Sequence, residues 1–430
     1  MKRLFLAALF FSATFAFAFE PVIERAPTFY SDSEPDTPLT RIFDRIEKGE
    51  KLLCKGTDTE ILKELLDLLN IPVESQVLVY SKTSAQNSRI SPETPRAIYF
   101  SDNAYVGWVQ GGQIEATTFD PELGAIFHLI HLIERKKDSP PKLSRDKNCL
   151  SCHAGSPTSG FPGALVRSVF PDESGQPIFH AGTFRTDDSS PIEERWGGWY
   201  VTGKAGDFSH MGNMIASEQP ANEVAVHKIV TEPVEDLSAV ISTEPYLAGG
   251  TSDIVALMVL EHQAKVHNTL VQANITVRQL LHRDREMKKV FDEPVDAPLS
   301  ETNQRILAGQ VDKVVDALLF RDEFEMEDDG VDGAIEFQRA FTEAGKQDRE
   351  LRSLRDFRLY ERLFKYRCSY VIYSDVFEHL PGELKSQVLV RLREILTNLS
   401  SFPDYNYLSE SECEKIDRIL ADTFPGWPGG

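Results

Sequence analysis

Residues 96–119 read RAIYFSDNAYVGWVQGGQIEATTF. The runs RAIYF at 96–100, YVGWV at 105–109 and IEATTF at 114–119 are short and rich in β-branched and aromatic residues, which is the pattern of strands. QVLVY at 76–80 precedes them, and the stretches at 164–170 and 196–201 look similar. From residue 73 to about 248 the chain is cut into such runs with Gly and Pro between them. That predicts a β-rich region.

Helical spacing flanks it. Over 40–53, Ile42, Ile46 and Leu53 share a face; over 57–69, Leu62, Leu65, Leu66 and Leu69 do so. Before them, 19–38 is an extended lead-in rich in Pro, Ser, Asp and Glu. Downstream, neither Gly nor Pro occurs from Asp253 to Glu293, and Ser252 is placed as the N-cap of a long helix. A second amphipathic stretch follows Ser300, with Ile306, Val311, Val314, Val315 and Leu318 as its apolar positions. Further helices are expected over 351–364, 382–398 and 409–421, and an acidic, Gly-punctuated loop over 322–333. The expected organisation is therefore α+β. A leader occupies 1–18, a lead-in with helices 19–72, a β-rich domain 73–248 and a helical C-terminal domain 249–430.

The leader is read from three features. Lys2 and Arg3 are positive, residues 4–17 are apolar apart from Ser12 and Thr14, and Ala16-Phe17-Ala18 offers a small-x-small cleavage site. The apolar run is shorter than the ~20 residues a spanning helix needs. An exported, periplasmic protein is expected, with no membrane segment after cleavage.

Hydrophobic residues make up 41% and charged residues 26% of 430, so the chain can bury a full core without disulfides. The formal net charge is −21. Such a chain repels nucleic acid and anionic lipid, and would suit a basic partner protein.

Within the β-rich region stands Cys149-Leu150-Ser151-Cys152-His153. C-x-x-C-H is the attachment pattern of haem c. Two thiols reach the two vinyl groups on one porphyrin edge, and the adjacent imidazole turns under the ring to bind iron. Two intervening residues let one helical turn present all three groups. A redox C-x-x-C pair would sit beside a βαβ pattern, and a zinc site would need two more Cys or His at short spacing; neither is seen. One motif means one covalent haem, with Cys149 and Cys152 as tethers and His153 as proximal iron ligand. Cys54, Cys368 and Cys413 remain. One disulfide plus one buried thiol fits an oxidising compartment, with Cys368 and Cys413 the preferred pair.

The sixth iron ligand is sought among Met and His. His210, in Ser209-His210-Met211-Gly212-Asn213-Met214, is the favoured candidate, followed by Met211 and Met214. His180, Met258 and His262 are others, and an open site is a further alternative. Arg195 and Trp196, with Trp199, Tyr200, Arg167 and Arg185, are candidate donors to the haem propionates. Glu261, His262 and His267 share one helix but lack the H-E-x-x-H spacing of a metal site, so a charged helix face is the preferred reading.

Several segments resemble a family of exported bacterial proteins described as cytochrome c domain-containing. They are the run at 80–127, CLSCHAGSPTSGFPGALVRSVFPD from Cys149, RWGGWYVTG from Arg195, SDIVALMVLEHQAKVHN from Ser252 and CSYVIYSDVFEHLP from Cys368. The resemblance implies export and haem c binding, without a settled reaction. The motif lies mid-chain here, unlike the small cytochrome c layout, where it lies near the start. Three functions follow. The first is electron transfer to a redox partner. The second is a haem-dependent oxidoreductase acting on a small molecule at an open distal site. The third is a haem-based sensor or binding module.

Overall fold

The computed structural model describes residues 21–326 and 330–429; the expected leader lies outside the described residues. Two capped helices open the fold. In α1 (Pro38–Glu47) the Thr37 and Thr40 side chains exchange bonds with each other's backbone, and Pro38 occupies the first turn. Gly49, at φ +99°, ends this helix before the expected residue 53. In α2 (Asp58–Leu68) Thr57 and Glu60 form the same reciprocal cap.

A six-stranded antiparallel meander follows, in sequential order: β1 (Val77–Val79), β2 (Arg96–Ser101), β3 (Ala104–Trp108), β4 (Ile114–Asp120), β5 (Gly124–His131) and β6 (Lys142–Ser144). Register pairs Tyr99 with Val106 and Val106 with Ala116; one residue along, Phe100 pairs with Tyr105 and Tyr105 with Thr117. The period of two therefore creates two apolar faces. Ala97, Tyr99, Val106, Trp108 and Ile114 pack against Leu39, Ile42, Leu62 and Leu65 of α1 and α2. Phe100, Tyr105, Phe119 and Phe127 face the other way, into the main core. Because both faces are covered, β3 is buried at every position instead of alternating.

The short helix α3 (Leu150–His153) comes next. Two hairpins follow it, β7 (Arg167–Val169) with β8 (Thr183–Arg185), and β9 (Met214–Glu218) with β10 (Val224–Lys228). The expected strand at 196–201 is a strap along the edge of β1: Tyr80 N donates to Gly198 O at 2.8 Å and Tyr200 N to Leu78 O at 2.9 Å.

The main core is organised by α4 (Ile254–Val290), a 37-residue helix. Its N-cap is Asp253, which accepts from Ala256 N at 2.9 Å, and not Ser252. The Ser252 hydroxyl instead donates to Tyr200 O at 2.6 Å and accepts from Leu78 N at 2.9 Å, joining the strap to β1. Gly124, at φ +78°, lets the β4–β5 turn approach this helix; a Cβ there would lie 2.5 Å from Val271 Cγ1.

The remaining elements are α5 (Glu301–Leu318), α6 (Ile335–Glu343), β11 (Phe357–Arg358), β12 (Arg362–Phe364), α7 (Asp375–Glu378), α8 (Gly382–Thr397) and α9 (Glu410–Thr423). Ser300 and Ser409 cap α5 and α9, which begin where the sequence placed helices to within a residue. Over 351–364 a hairpin replaces the expected helix. Phe357 and Phe364 stack at 5.5 Å across it and both meet Phe341 of α6, so tertiary aromatic packing overrides local helical spacing. One apolar cluster joins Phe127 of the sheet, Leu270 of α4, Val314 of α5 and Ile416 of α9. The β-rich and helical regions thus share a core across residue 249. The fold is α+β, and no helix among the described residues is long and apolar enough to cross a membrane.

Candidate haem site

The chain leaves β6 and turns at Asp146, whose carboxylate accepts from Asn148 N at 2.9 Å. A 3-10 turn, Lys147–Cys149, runs directly into α3, and Ala154 N closes the turn onto Leu150 O at 2.9 Å. Cys149 and Cys152 sit three residues apart on this continuous turn, so their side chains share one side. Cys149 is half-buried and Cys152 exposed, and both are unpaired thiols. Burial, then Asp146 and Glu115, push the Cys149 thiol up to about 11.

His153 is held from several sides. Its ring stacks on Phe127 of β5, centroids 4.4 Å apart. Its carbonyl accepts from Gly163 N at 2.9 Å and from Thr158 Oγ1 at 3.1 Å. Its Nδ1 lies 2.9 Å from the Gly163 carbonyl. A carbonyl only accepts, so Nδ1 carries the hydrogen and Nε2 keeps its lone pair. Burial lowers the His153 pKa, which favours this neutral form. Nε2 makes no hydrogen bond among the described residues, so one ring nitrogen is free while the other is fixed.

Next to His153, Arg96 and Glu115 pair at 2.9 Å. Burial alone would raise the Glu115 carboxyl, but Arg96, Ser84 and Gln86 outweigh it and hold it below its ordinary value. The β7–β8 hairpin borders the same loop, because Arg185 donates to the Pro157 carbonyl. Arg167 has no side-chain partner among the described residues. A cleft of about 110 Å³ separates the loop from α4, lined by Thr158, Ala164, Arg185, Thr186, Lys265 and Asn268 among others.

The other candidates lie elsewhere in the packing. His210 is buried with both ring nitrogens engaged. Nδ1 accepts from Gly212 N at 3.0 Å, and Nε2 faces Glu232 at 3.5 Å. Burial pushes its pKa down to about 4. As arranged, it offers iron no free nitrogen. The Met211 sulfur accepts from Ser168 Oγ at 3.6 Å, and Met258 is core. Met214 lies half-buried on β9, and His180 sits at the surface 3.7 Å from Glu218.

Arg195 and Trp196, expected as propionate donors, both lie in the interior. Arg195 is 2% exposed, pairs with Glu261 at 3.1 Å and donates through Nε to Ser190 O at 2.9 Å. Trp196 is wholly buried at φ +68°. The Trp199 indole N–H goes to Arg167 O and the Tyr200 hydroxyl to Pro92 O, both at 2.8 Å. The sequence did not disclose that the Arg195, Trp199 and Tyr200 donors are spent inside the fold.

Glu261, His262 and His267 likewise take separate partners: Arg195 for the first, Asp188 and Ser369 for the second, and the Tyr105 hydroxyl for the third. His262 Nδ1 lies 2.5 Å from Asp188 Oδ2, and Nε2 2.7 Å from Ser369 Oγ. The order Ser-His-Asp is that of a nucleophilic triad. Here Ser369 is wholly buried and caps the turn at Val371 N, so the three act as an interior clamp. The expected Cys368–Cys413 disulfide is absent. Both are unpaired, and burial in the helical core shields them without a bond.

Two residues that matter at His153 were not read from the sequence. Gly163 and Asn268 lie 10 and 115 positions after it, and neither belongs to a motif. No protein-family model, curated protein or solved structure matches this chain.

Proposed function

We propose that the chain is an exported mono-haem c-type cytochrome that works in electron transfer. Cys149 and Cys152 are the covalent tethers and His153 the proximal iron ligand. One observation carries the reading: on a single helical turn, two unpaired thiols accompany an imidazole whose Nδ1–H is fixed on Gly163 O and whose Nε2 has no hydrogen-bond partner among the described residues. That donor set and its C-x-x-C-H spacing fit haem c.

When bound, haem supplies one-electron chemistry between its ferric and ferrous forms. The chain's residues do the rest. Phe127 fixes the plane of the His153 ring, and Gly163 holds its tautomer. The paired charges of Arg96 and Glu115 place little net charge beside it. Cys152 is exposed, so a haem tethered there would be within reach of a partner. A chain of net charge −21 recruits a basic redox partner through complementary fields. The likeness of its segments to exported cytochrome c domain-containing proteins supports the same reading.

The deciding experiment is an alkaline pyridine spectrum of protein exported from cells that mature cytochromes c. The spectrum of a doubly thioether-linked haem is expected. A colourless protein from such cells would overturn the proposal. Carbon monoxide binding to the reduced form would replace electron transfer by chemistry at an open iron.

A further inference from the structure

We propose that Asn268 is a positioning residue for the iron ligand: from the middle of α4 it holds the peptide that fixes the His153 tautomer, and so sets the potential of the haem. This rests on the haem reading above. The Asn268 carboxamide makes two bonds to one residue. Ala164 N donates to its Oδ1 at 2.9 Å, and its Nδ2 donates to Ala164 O at 2.8 Å. Ala164 follows Gly163 directly. The Gly163 carbonyl receives His153 Nδ1–H at 2.9 Å, and Gly163 N returns a bond to His153 O at 2.9 Å. The path from α4 to the imidazole is therefore continuous, with paired bonds between Asn268 and Ala164 and again between Gly163 and His153.

The close approach demands glycine at 163. A Cβ there would meet Asn268 Oδ1 at 2.3 Å and Cγ at 2.9 Å. The side chain that fits is an amide, because the peptide at Ala164 offers one donor and one acceptor side by side. Leu270 and Val271 anchor this part of α4 in the main core, so the carboxamide projects from a rigid support.

The consequence is electronic. A strong Nδ1–H···O=C bond makes imidazole a better donor and stabilises the more charged, ferric iron. Loosening the 163–164 peptide weakens that bond and favours the ferrous form. Asn268→Ala is expected to shift the ferrous-to-ferric equilibrium about tenfold toward ferrous, a rise of ~59 mV for one electron. Asn268→Asp keeps the bond from Ala164 N and loses the one to Ala164 O, so it is expected to recover part of the tautomer signature. Thr269→Ala alters the adjacent cleft residue, whose hydroxyl bonds Lys265 O, and is expected to leave the potential unchanged.

The test uses the full chain. The pyridine spectrum of the unaltered protein comes first; if it shows no haem c, the functional reading fails by itself. With haem present, potentials of Asn268→Ala and Thr269→Ala are measured by redox titration. Equal potentials in Asn268→Ala and the parent would overturn the inference. Imidazole nitrogen NMR of the haem-free chain supplies a second readout, covering a variant that takes up no haem. There Asn268→Ala is expected to mix the two His153 tautomers, and a pure Nδ1–H form would overturn the proposal. Gly163→Ala supplies a third: its loss of stability should shrink at least severalfold when combined with Asn268→Ala, and additive effects would count against the contact.

Discussion

The Arg195 guanidinium lies 3.1 Å from the Glu261 carboxylate, with the two side chains 2% and 0% exposed. An ion pair removed from water this fully depends on both members, since either alone is an uncompensated buried charge. Glu261→Gln is expected to cost about 3–5 kcal/mol, read as a lower midpoint in denaturant at unchanged slope. Replacing both residues by apolar side chains of similar size should cost far less. A double replacement as damaging as the single one would refute the account.

Covalent attachment is expected to follow thiol count. Cys149→Ser and Cys152→Ser should each leave one thioether and a shifted pyridine spectrum, and the double variant should lose haem in denaturing gels. His153→Ala should keep both thioethers yet lose the low-spin spectrum. Retention of covalent haem in the double variant would place attachment elsewhere.

Stability should fall in mild acid. Burial holds His128 down to about 4 and His267 down to about 3, whereas in the unfolded chain each returns to about 6.5. Between those values the unfolded state binds more protons, so stability rises with pH. The contribution is complete above about 6.5 and is lost as pH falls toward 4, at about 1.4 kcal/mol per unit for each group. His128→Leu should flatten the slope between pH 7 and 5, and its Nδ1 has no bond to lose. An unaltered slope would remove His128 from the account.

Gly124→Ala is expected to destabilise by at least about 2 kcal/mol. The position has φ +78°, which costs an L-residue about 1–2 kcal/mol, and the new methyl would press on Val271. Pairing it with Val271→Ala should recover the steric part alone. Full recovery would mean that the backbone angle costs nothing.

The periodicities proved the most legible part of the chain. QVLVY, RAIYF, YVGWV and IEATTF became β1 to β4 within a residue or two, because alternation and turn chemistry act locally. Residues 351–364 misled because Phe357 and Phe364 answer to Phe341, which local spacing does not contain. The candidate site divided the same way. Cys149, Cys152 and His153 stand together in sequence and on one turn. Arg195, Trp196 and His210 looked available because Glu261 and Glu232, which occupy Arg195 and face His210, are distant or unremarkable in sequence.

The order of the chain has a consequence for maturation. Cys149 and Cys152 precede α4 by about a hundred residues, yet the peptide that orients His153 is bonded to α4. A chain delivered N-terminus first presents its thiols while the later helix is still absent. If haem c is attached as proposed, attachment would proceed on pliable polypeptide, accessible to an enzyme, and the arrival of α4 afterwards would convert a loosely tethered imidazole into a rigid one. Under that proposal, synthesis and tuning would be separated in time by the length of chain between the motif and the helix.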